Sequence, residues 1–194
     1  MKLIKEGAEA KIFLDEDKII KKRISKSYRI KELDEKLRKF RTKREFKILK
    51  FLYDNNVKIP KPIDIDLKDM KIIMEYIKGV PLKDVISKEL LFKFFKEIIK
   101  IHSLNVTHND LTTLNAIIKN NDIYIIDFGL AKFNSKIEDK GEDLNLFFNN
   151  IKNEHFELYK YKEELESLYK KKVENGEIII KRLKEIEKRG RNKD

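Results

Sequence analysis

Two aspartates and one asparagine stand at a spacing that suits phosphoryl transfer. They lie in the run His108-Asn109-Asp110-Leu111-Thr112-Thr113-Leu114-Asn115 and in the triplet Asp127-Phe128-Gly129. In this chemistry a protein mainly positions the reactants and neutralises charge. We expect Asp110 to orient the attacking hydroxyl or water, and Asn115 and Asp127 to hold Mg²⁺ across the phosphates, with Mn²⁺ as a suitable substitute. These three side chains are a sufficient metal-side set.

The two segments resemble the catalytic loop and the metal-binding triplet of the protein-kinase superfamily. That resemblance predicts an upstream strand lysine for the α and β phosphates of ATP and a helical glutamate that fixes it. Lys21, which ends the apolar run Ile19-Ile20, and Glu45 match these roles. Lys18 and Lys22 are the competing lysines, because a lysine on a strand commonly faces solvent.

The resemblance also predicts contacts for the two ends of the nucleotide. Met74-Glu75-Tyr76-Ile77 would be the hinge, where the backbone of Glu75 and Ile77 can pair with adenine. The loop Gly7-Ala8-Glu9-Ala10 would cover the phosphates, but it keeps one glycine of the usual three. Backbone approach to phosphate is therefore expected to be less complete, with the acidic side chain of Glu9 covering the loop instead.

Two departures from ordinary protein kinases bear on the substrate. Asn109 replaces the arginine of the usual His-Arg-Asp, which removes a phosphate-sensing group. After Gly129 there is no Ala-Pro-Glu, and the chain passes directly to Glu138-Asp139-Lys140 and a helix. The sequence therefore offers no room for a conventional activation segment or a peptide platform.

These departures resemble one group closely, the small atypical kinase of the KEOPS (EKC) complex, from Gly7 to Arg191. The family usually has glycine where this chain has Asn109 and Ser27, and neither change removes a catalytic group. The matching residues are Gly7-Ala8-Glu9-Ala10, Ile20-Lys21-Lys22-Arg23, Lys26, Tyr28, Arg29, Arg41-Thr42, Glu45, His108 to Thr113, Glu138-Asp139-Lys140, Asp143 and Arg189-Gly190-Arg191.

The resemblance implies an ATP- and Mg²⁺-dependent serine/threonine kinase and ATPase that serves tRNA threonylcarbamoyladenosine (t6A) synthesis. It implies a threonylcarbamoyl-transferase subunit docked on the C-terminal lobe and a small subunit docked on the N-terminal lobe, with tRNA reached through the complex. In some archaea this kinase is fused to the transferase, so the chain could be one piece of a longer one.

Three other readings compete. A RIO-type kinase also lacks the activation segment. A small-molecule kinase fits less well, because the chain has no insertion that could form a substrate pocket. A nucleotide-binding pseudo-kinase scaffold is disfavoured by the intact Lys21, Asp110, Asn115 and Asp127.

The elements that must position these residues follow from periodicity. The pattern predicts an α+β, bilobal protein-kinase-like fold, minimal and without a conventional activation segment. We expect an N-terminal lobe over 1–74, a hinge over 75–81 and a mostly helical C-terminal lobe over 82–194. Strands are predicted at 11–14, 18–21, 63–65, 71–75, 116–119 and 123–126, and helices at 33–53, around 91–102 and from 134 to the end with a break at Asn175-Gly176.

Several side chains are expected to be structural only. Phe94, Phe95, Phe147 and Phe148 are predicted core residues. His102 lies on the apolar face of its helix and His155 in a mixed polar stretch, so neither is expected to take part in the chemistry. Lys78-Gly79-Val80-Pro81 is predicted to be a linker.

Composition narrows the class of partner and the compartment. The chain has 194 residues, with 45 Lys and Arg against 34 Asp and Glu, for a net charge of +11. It has no cysteine, which excludes disulfides and thiolate chemistry and suits a reducing cytosol. No stretch is long and apolar enough to span a bilayer. We expect a cytoplasmic protein with an anionic partner and no membrane association.

The positive charge is concentrated in two segments. From Lys18 to Lys50 there are fifteen Lys and Arg against four acids, and from Lys170 to Asp194 there are ten against five. Such concentration favours binding to an RNA backbone, although a solvated helix face is the alternative for each segment. In the tail, Arg182, Lys184, Lys188, Arg189 and Arg191 are expected to be available to phosphate, with Arg189 and Arg191 mattering most. Gly190 is expected to end the helix and leave Lys193 on a flexible end.

Overall fold

The computed structural model describes the backbone of residues 1–191 and the side chains of residues 1–189. The chain divides into two compact units, Met1–Lys78 and the part that begins at Gly79. The division lies inside the segment 75–81. Together the two units form the small, bilobal, kinase-like α+β fold expected from the sequence.

The first unit is an antiparallel sheet with one long helix. Its strands stand in the order β1-β2-β3-β5-β4. The elements are β1 (Lys2–Glu6), β2 (Ala10–Asp15), β3 (Lys18–Arg23), α1 (Lys31–Asp54), β4 (Pro62–Asp66) and β5 (Lys71–Glu75). The acidic turn between β2 and β3 closes with Glu16 at φ 55, and the two strands pair so that Lys21 lies opposite Ile12.

Helix α1 buries only its C-terminal half. Ile48, Leu49 and Leu52 are buried where the helix packs on β4 and β5. The predicted apolar face was wrong further upstream, since Leu33 is 52% exposed and Phe40 is 61% exposed. The helix is longer than the sheet edge it covers, so its first turns have no sheet beneath them.

The second unit is mostly helical. Its elements are β6 (Val80–Pro81), α2 (Lys88–Ser103), β7 (Val106–Thr107), β8 (Ala116–Lys119), β9 (Asp122–Ile125), β10 (Lys132–Phe133), α3 (Ile137–Glu154), α4 (Phe156–Tyr159), α5 (Lys162–Lys172) and α6 (Gly176–Arg191). Short 3₁₀ turns at Leu82–Asp84, Thr113–Asn115 and Phe128–Leu130 connect them. Within residues 1–191, no helix combines the length and the apolar character that a membrane span needs.

The core of the second unit lies between α2 and α3, as predicted. Ser87 caps α2, its Oγ accepting from the Leu90 N–H at 3.3 Å. The ring of Phe147 lies 5.7 Å from that of Phe94 and 5.3 Å from that of Phe95. Phe148 is buried beside them. This aromatic cluster fixes α3 against α2.

Three sequence predictions about elements need correction. Strand β1 was missed because all five of its residues are exposed at a sheet edge, so it has no buried face to detect. Val80–Pro81 is not a free linker but pairs with β8, and a Cβ at Gly79 would come within 2.2 Å of the Ile118 carbonyl oxygen. That close backbone approach, rather than flexibility, explains the glycine.

The helical tail is also more broken than predicted. The break at 173–175 is present, with Asn175 at φ 58, but the helix is interrupted at His155 and at 160–161 as well. Gly190 does not end α6, which continues to Arg191. Lys193 lies outside the described residues.

Candidate active site

The predicted metal-side residues lie together in the second unit, on the segment between β7 and the turn after β9. Asn115 donates from Nδ2 to the carboxylate Oδ2 of Asp110 at 2.7 Å and to the Asp110 carbonyl at 2.9 Å. Both bonds use the amide nitrogen, so the amide oxygen of Asn115 is turned away from Asp110. The loop thus orients one carboxylate and one amide oxygen before any ligand binds.

Asp127 follows β9 in a strained backbone conformation. Its φ and ψ are 65° and 66°, in the left-handed region, and its carboxylate accepts weakly from the Gly129 N–H at 3.4 Å. Aspartate tolerates this region better than most residues. The side chain of Asp127 is exposed, whereas the next residue, Phe128, is fully buried. The turn therefore presents a carboxylate to solvent on a base anchored in the core.

Asp143 holds the start of the catalytic loop from helix α3. Its Oδ2 accepts from the His108 N–H at 2.7 Å, and its Oδ1 accepts from the Asn109 N–H at 2.8 Å. Asp143 is fully buried. A buried carboxylate that accepts two backbone N–H bonds is a strong, directional anchor. Sequence reasoning listed Asp143 as a matching residue but gave it no role.

Asn109 occupies a position where the backbone requires a permissive residue. Its φ is 63°, so the glycine usual in the family and the asparagine found here satisfy the same left-handed conformation. Its side chain adds a contact that glycine lacks, because Nδ2 donates to the Leu130 carbonyl at 3.0 Å. Asn109 therefore ties the catalytic loop to the turn that carries Asp127.

His108 makes a second link between these segments. Its Nε2 lies 2.9 Å from the Ile126 carbonyl, and its Nδ1 lies 3.2 Å from the Asp110 N–H. These partners define a neutral ring that donates from Nε2 and accepts at Nδ1. The His108 ring also packs edge-on against Phe128, with centroids 4.7 Å apart.

Two histidines that were expected to be bystanders support the loop. His102 is fully buried, with Nε2 3.1 Å from Asp143 and Nδ1 2.8 Å from the hydroxyl of Tyr169. Burial, together with the negative charge of Asp143, raises the pKa of Tyr169, so this hydroxyl stays a donor. The chain Tyr169–His102–Asp143 continues the loop anchor into helix α5.

The other end of the catalytic loop is held from the end of α3. Thr113 is buried, its N–H donates to Asn150 at 2.9 Å, and its hydroxyl lies 2.9 Å from Nε2 of His155. Burial lowers the pKa of His155, which favours a neutral ring. His155 has no sequence signal for this role, since its partner is 42 positions away.

The predicted lysine and glutamate form an ion pair in the first unit. Nζ of Lys21 lies 2.7 Å from Oε1 of Glu45, and both residues are buried. A third residue joins them, because Arg23 donates to Oε2 of Glu45 at 2.5 Å. Lys18 and Lys22, the competing lysines, are exposed and half-buried respectively. One glutamate thus neutralises two buried cations that project from the same face of β3.

The glycine-poor loop is held down by side chains. The Glu9 carboxylate lies 2.7 Å from NH1 of Arg41, and Nζ of Lys26 donates to the Ala8 carbonyl. Gly7 donates from its N–H to Ala10 at 3.0 Å, its φ is not positive, and a Cβ there would meet nothing closer than 3.5 Å. The unliganded backbone therefore does not itself require glycine at this position.

The predicted hinge residues lie at the end of β5. The Glu75 N–H donates to the Lys61 carbonyl at 2.9 Å, and the Tyr76 N–H donates to the Asp17 carbonyl at 2.9 Å. Any adenine pairing by Glu75 would therefore use its carbonyl rather than its N–H. Ile77 is buried. Its role, like that of Glu75, stays a prediction.

The donor set of the second unit suits magnesium bound with a phosphate ligand. Magnesium commonly takes one or two protein oxygens and completes its shell with phosphate and water. The carboxylate of Asp127 and the outward amide oxygen of Asn115 supply that number. Among the described side chains, no group of three or more His, Asp or Glu could hold a metal alone. The residues therefore fit Mg²⁺ that arrives with a nucleotide.

The tail agrees only in part with its predicted role. Leu183 is buried against α3, where Gly141 leaves room for the side chains of Ile186 and Arg182. Arg182 is not available to phosphate, because it pairs with Glu138 at the start of α3 and with Glu185. Arg189 is exposed. The side chain of Arg191 lies outside the described residues.

Comparison with known proteins places this site in a family. A family model for the RIO domain matches residues 6–153. The chain is 39% identical over 214 residues to a Pyrococcus abyssi protein named KEOPS complex subunit Bud32, covering 100% of this chain and 97% of that protein. It is 42% identical over 197 residues to a probable bifunctional tRNA threonylcarbamoyladenosine biosynthesis protein of Methanocaldococcus jannaschii, covering 97% of this chain but 36% of that protein.

A solved structure supports the fold independently. The Rio2 kinase of Chaetomium thermophilum, in a complex with ADP/Mg²⁺ and phosphoaspartate, superposes with a TM-score of 0.67 at 18% identity. The match covers 81% of this chain and 57% of that one. The RIO-domain match and the full-length identity to the Pyrococcus protein show that the chain belongs to the Bud32 family of RIO-domain, protein-kinase-like proteins.

Proposed function

We propose that the chain is an ATP- and Mg²⁺-dependent phosphotransferase and ATPase that works as the kinase subunit of a KEOPS-type complex. The observation that carries the proposal is the hydrogen-bonded pair of Asp110 and Asn115 on a loop anchored by Asp143. The buried Lys21–Glu45 pair supplies the matching phosphate-side element. Preorganised groups of this kind are the main contribution of a protein to phosphoryl transfer.

In this proposal each residue has a defined task. Asp110 orients the attacking hydroxyl or water, and Asn115 limits its rotation. Asn115 and Asp127 would hold Mg²⁺, which supplies charge neutralisation on the phosphates when it is bound. Lys21, held by Glu45, would contact the α and β phosphates. Glu75 and Ile77 would pair with the base, and Gly7 and Glu9 would cover the phosphate end.

The phosphoacceptor is expected to be serine, threonine or water rather than an exogenous peptide. Only residues 131–136, which include β10, separate the turn Phe128–Leu130 from helix α3. A stretch of this length cannot form a peptide-binding platform. We expect the readiest protein acceptors to be the chain's own serines and threonines, and ATP hydrolysis to rise when partners and tRNA are present.

The partners follow from the relatives. The Pyrococcus relative is named as a KEOPS subunit, and the Methanocaldococcus relative as a bifunctional threonylcarbamoyladenosine biosynthesis protein in which a chain like this one is about a third of the whole. We infer a transferase partner on the C-terminal lobe, separate or fused, and a small subunit on the N-terminal lobe. The reaction served is t6A formation on tRNA in the cytoplasm.

Reconstitution tests this function. The wild-type chain, combined with the transferase and small subunits, tRNA, Mg²⁺ and ATP, should hydrolyse ATP faster than the chain alone and should support t6A formation. Lys21→Met should lower both rates, whereas Lys22→Met on the same strand should leave them near wild type. If the chain supported t6A formation equally with Lys21→Met, a scaffold role would replace the catalytic one.

A further inference from the structure

A cluster of arginines in the first unit carries more positive charge than its contacts neutralise. Arg23 projects from β3, and Arg41 and Arg44 project from α1. The pKa of Arg44 is lowered, first by burial and then by the positive charges of Arg23 and Arg41, while Glu45 acts in the opposite direction. The electrostatic field at this point is therefore net positive even with Glu45 present.

Arg23 is buried and incompletely satisfied. Its side chain is 5% exposed, and its NH2 is taken by Glu45 at 2.5 Å. Its Nε is buried without a hydrogen-bond partner in the described structure, and its NH1 lies 3.9 Å from Glu9, beyond hydrogen-bond distance. A buried guanidinium with an unused donor is costly, because the desolvated N–H gains nothing in return.

Glu9 is the removable member of the cluster. Its carboxylate lies 2.7 Å from Arg41, yet its side chain is 48% exposed. The loop around it is held by other bonds, including Ile24 N–H to the Glu9 carbonyl at 3.3 Å and Lys26 to the Ala8 carbonyl. The Glu9 side chain can therefore rotate away while its backbone stays in place.

We propose that Arg23 and Arg41 form a binding site for a phosphate-class oxyanion, and that Glu9 occupies this site as an exchangeable counter-ion in the free chain. A carboxylate offers two oxygens and one charge, and here it reaches only Arg41. A phosphate group offers three oxygens and close to two charges, so it can pair with both guanidinium groups at once. The anion source is either a nucleotide phosphate or an RNA phosphate.

This site is distinct from the Lys21 position. Lys21 and Arg23 share Glu45, but the two contacts use different oxygens of that carboxylate. The proposal does not depend on the phosphotransferase assignment, because its readout is anion binding rather than turnover.

Isothermal titration of the full chain with inorganic phosphate tests the proposal. Glu9→Gln should bind phosphate about tenfold more tightly than wild type, since it removes a charge-assisted competitor. Adding Arg41→Gln to Glu9→Gln should abolish the gain. Glu6→Gln is the matched control, because Glu6 is the neighbouring carboxylate before the loop and pairs with Lys11 at 2.9 Å. It should bind phosphate as wild type does.

Three results would overturn the proposal. Glu9→Gln could bind phosphate no better than wild type, or Glu6→Gln could show the same gain, which would reduce the effect to net charge. Lys21→Met could abolish phosphate binding, which would place the anion on the strand lysine. Thermal melts of each variant establish that it is folded.

Two further titrations of Glu9→Gln identify the source. A gain for ATP over adenosine assigns a nucleotide phosphate, and a gain for a 5′-phosphorylated RNA oligonucleotide over its dephosphorylated form assigns an RNA phosphate. Either gain supports the site. A gain for neither contradicts it.

Discussion

Asp143→Asn should uncouple the catalytic loop from helix α3 while changing a single atom. In the wild type, Asp143 accepts from His108 at 2.7 Å and from Asn109 at 2.8 Å, and it lies 3.1 Å from His102. Asparagine keeps one acceptor oxygen and replaces the other with an NH₂ group. At least one buried backbone N–H then faces a donor, which costs about 1–3 kcal/mol, and the remaining bond loses its charge assistance. We expect a total loss of roughly 2–4 kcal/mol.

The same change should slow turnover more than it weakens nucleotide binding. A misplacement of a reacting group by about 1 Å can cost on the order of 100-fold in rate. We therefore expect the kcat for Mg²⁺-ATP hydrolysis to fall by about 10- to 100-fold, with KM changed by much less. Urea denaturation and steady-state kinetics measure the two effects. Asp139→Asn, on the same helix and bonded to the Lys136 N–H at 2.8 Å, is the control and should lose at most about 1 kcal/mol. An Asp143→Asn variant as stable and as active as Asp139→Asn would refute the reasoning.

Three further changes probe other contacts. Glu45→Gln leaves two buried cations, Lys21 and Arg23, without their shared charge, so stability should fall by about 3–5 kcal/mol in urea denaturation; a loss no larger than that of an exposed glutamate would contradict the buried pair. Because the pKa of His155 is lowered in the folded chain, the unfolded chain takes up a proton first as pH falls below about 6.5, so stability should decline there, and His155→Gln should flatten this decline; equal pH profiles would show that the ring does not contribute. Truncation after Glu187 should leave ATP affinity nearly unchanged but weaken tRNA binding by the assembled complex, with a log–log salt slope shallower by somewhat under one unit per lost contact; an unchanged affinity and slope would exclude the tail from RNA binding.

The chemistry was easier to predict than its support. Asp110, Asn115 and Asp127 lie within one short stretch, so their order and spacing are visible in the sequence. Lys21 and Glu45 are 24 positions apart, but the family resemblance selects them, and the structure places them at 2.7 Å. Local spacing and family pattern together therefore recovered the groups that would touch the nucleotide.

The supporting contacts carry no local signal. His102 meets Tyr169 across 67 positions, and Thr113 meets His155 across 42. A histidine on an apolar helix face reads as a core residue, and only the packing of α2 against α3 and α5 shows that its ring nitrogens are both used. Arg182 was misassigned for the same reason, since its partner Glu138 lies on another helix.

Element patterns failed where exposure and burial departed from periodicity. Leu33 and Phe40 repeat at helical spacing, but the sheet does not extend beneath them. Gly190 would be a common helix terminator, yet α6 continues through it to Arg191. Glycine lowers helix propensity by about 1 kcal/mol relative to alanine, which neighbouring helix-favouring residues can offset.

The most direct test of the proposed phosphotransfer is Mg²⁺-dependent ATP turnover by Asp127→Ala. This exposed carboxylate would be the principal metal ligand, and removal of one group that stabilises transition-state charge commonly costs about 3–4 kcal/mol of barrier. Turnover should therefore fall at least about 100-fold, while the thermal melt stays near wild type because the side chain makes only a weak bond to Gly129. Asp84→Ala, an exposed aspartate of the same unit, should keep full activity. A folded Asp127→Ala variant that hydrolyses ATP at the wild-type rate with the same magnesium dependence would contradict the account.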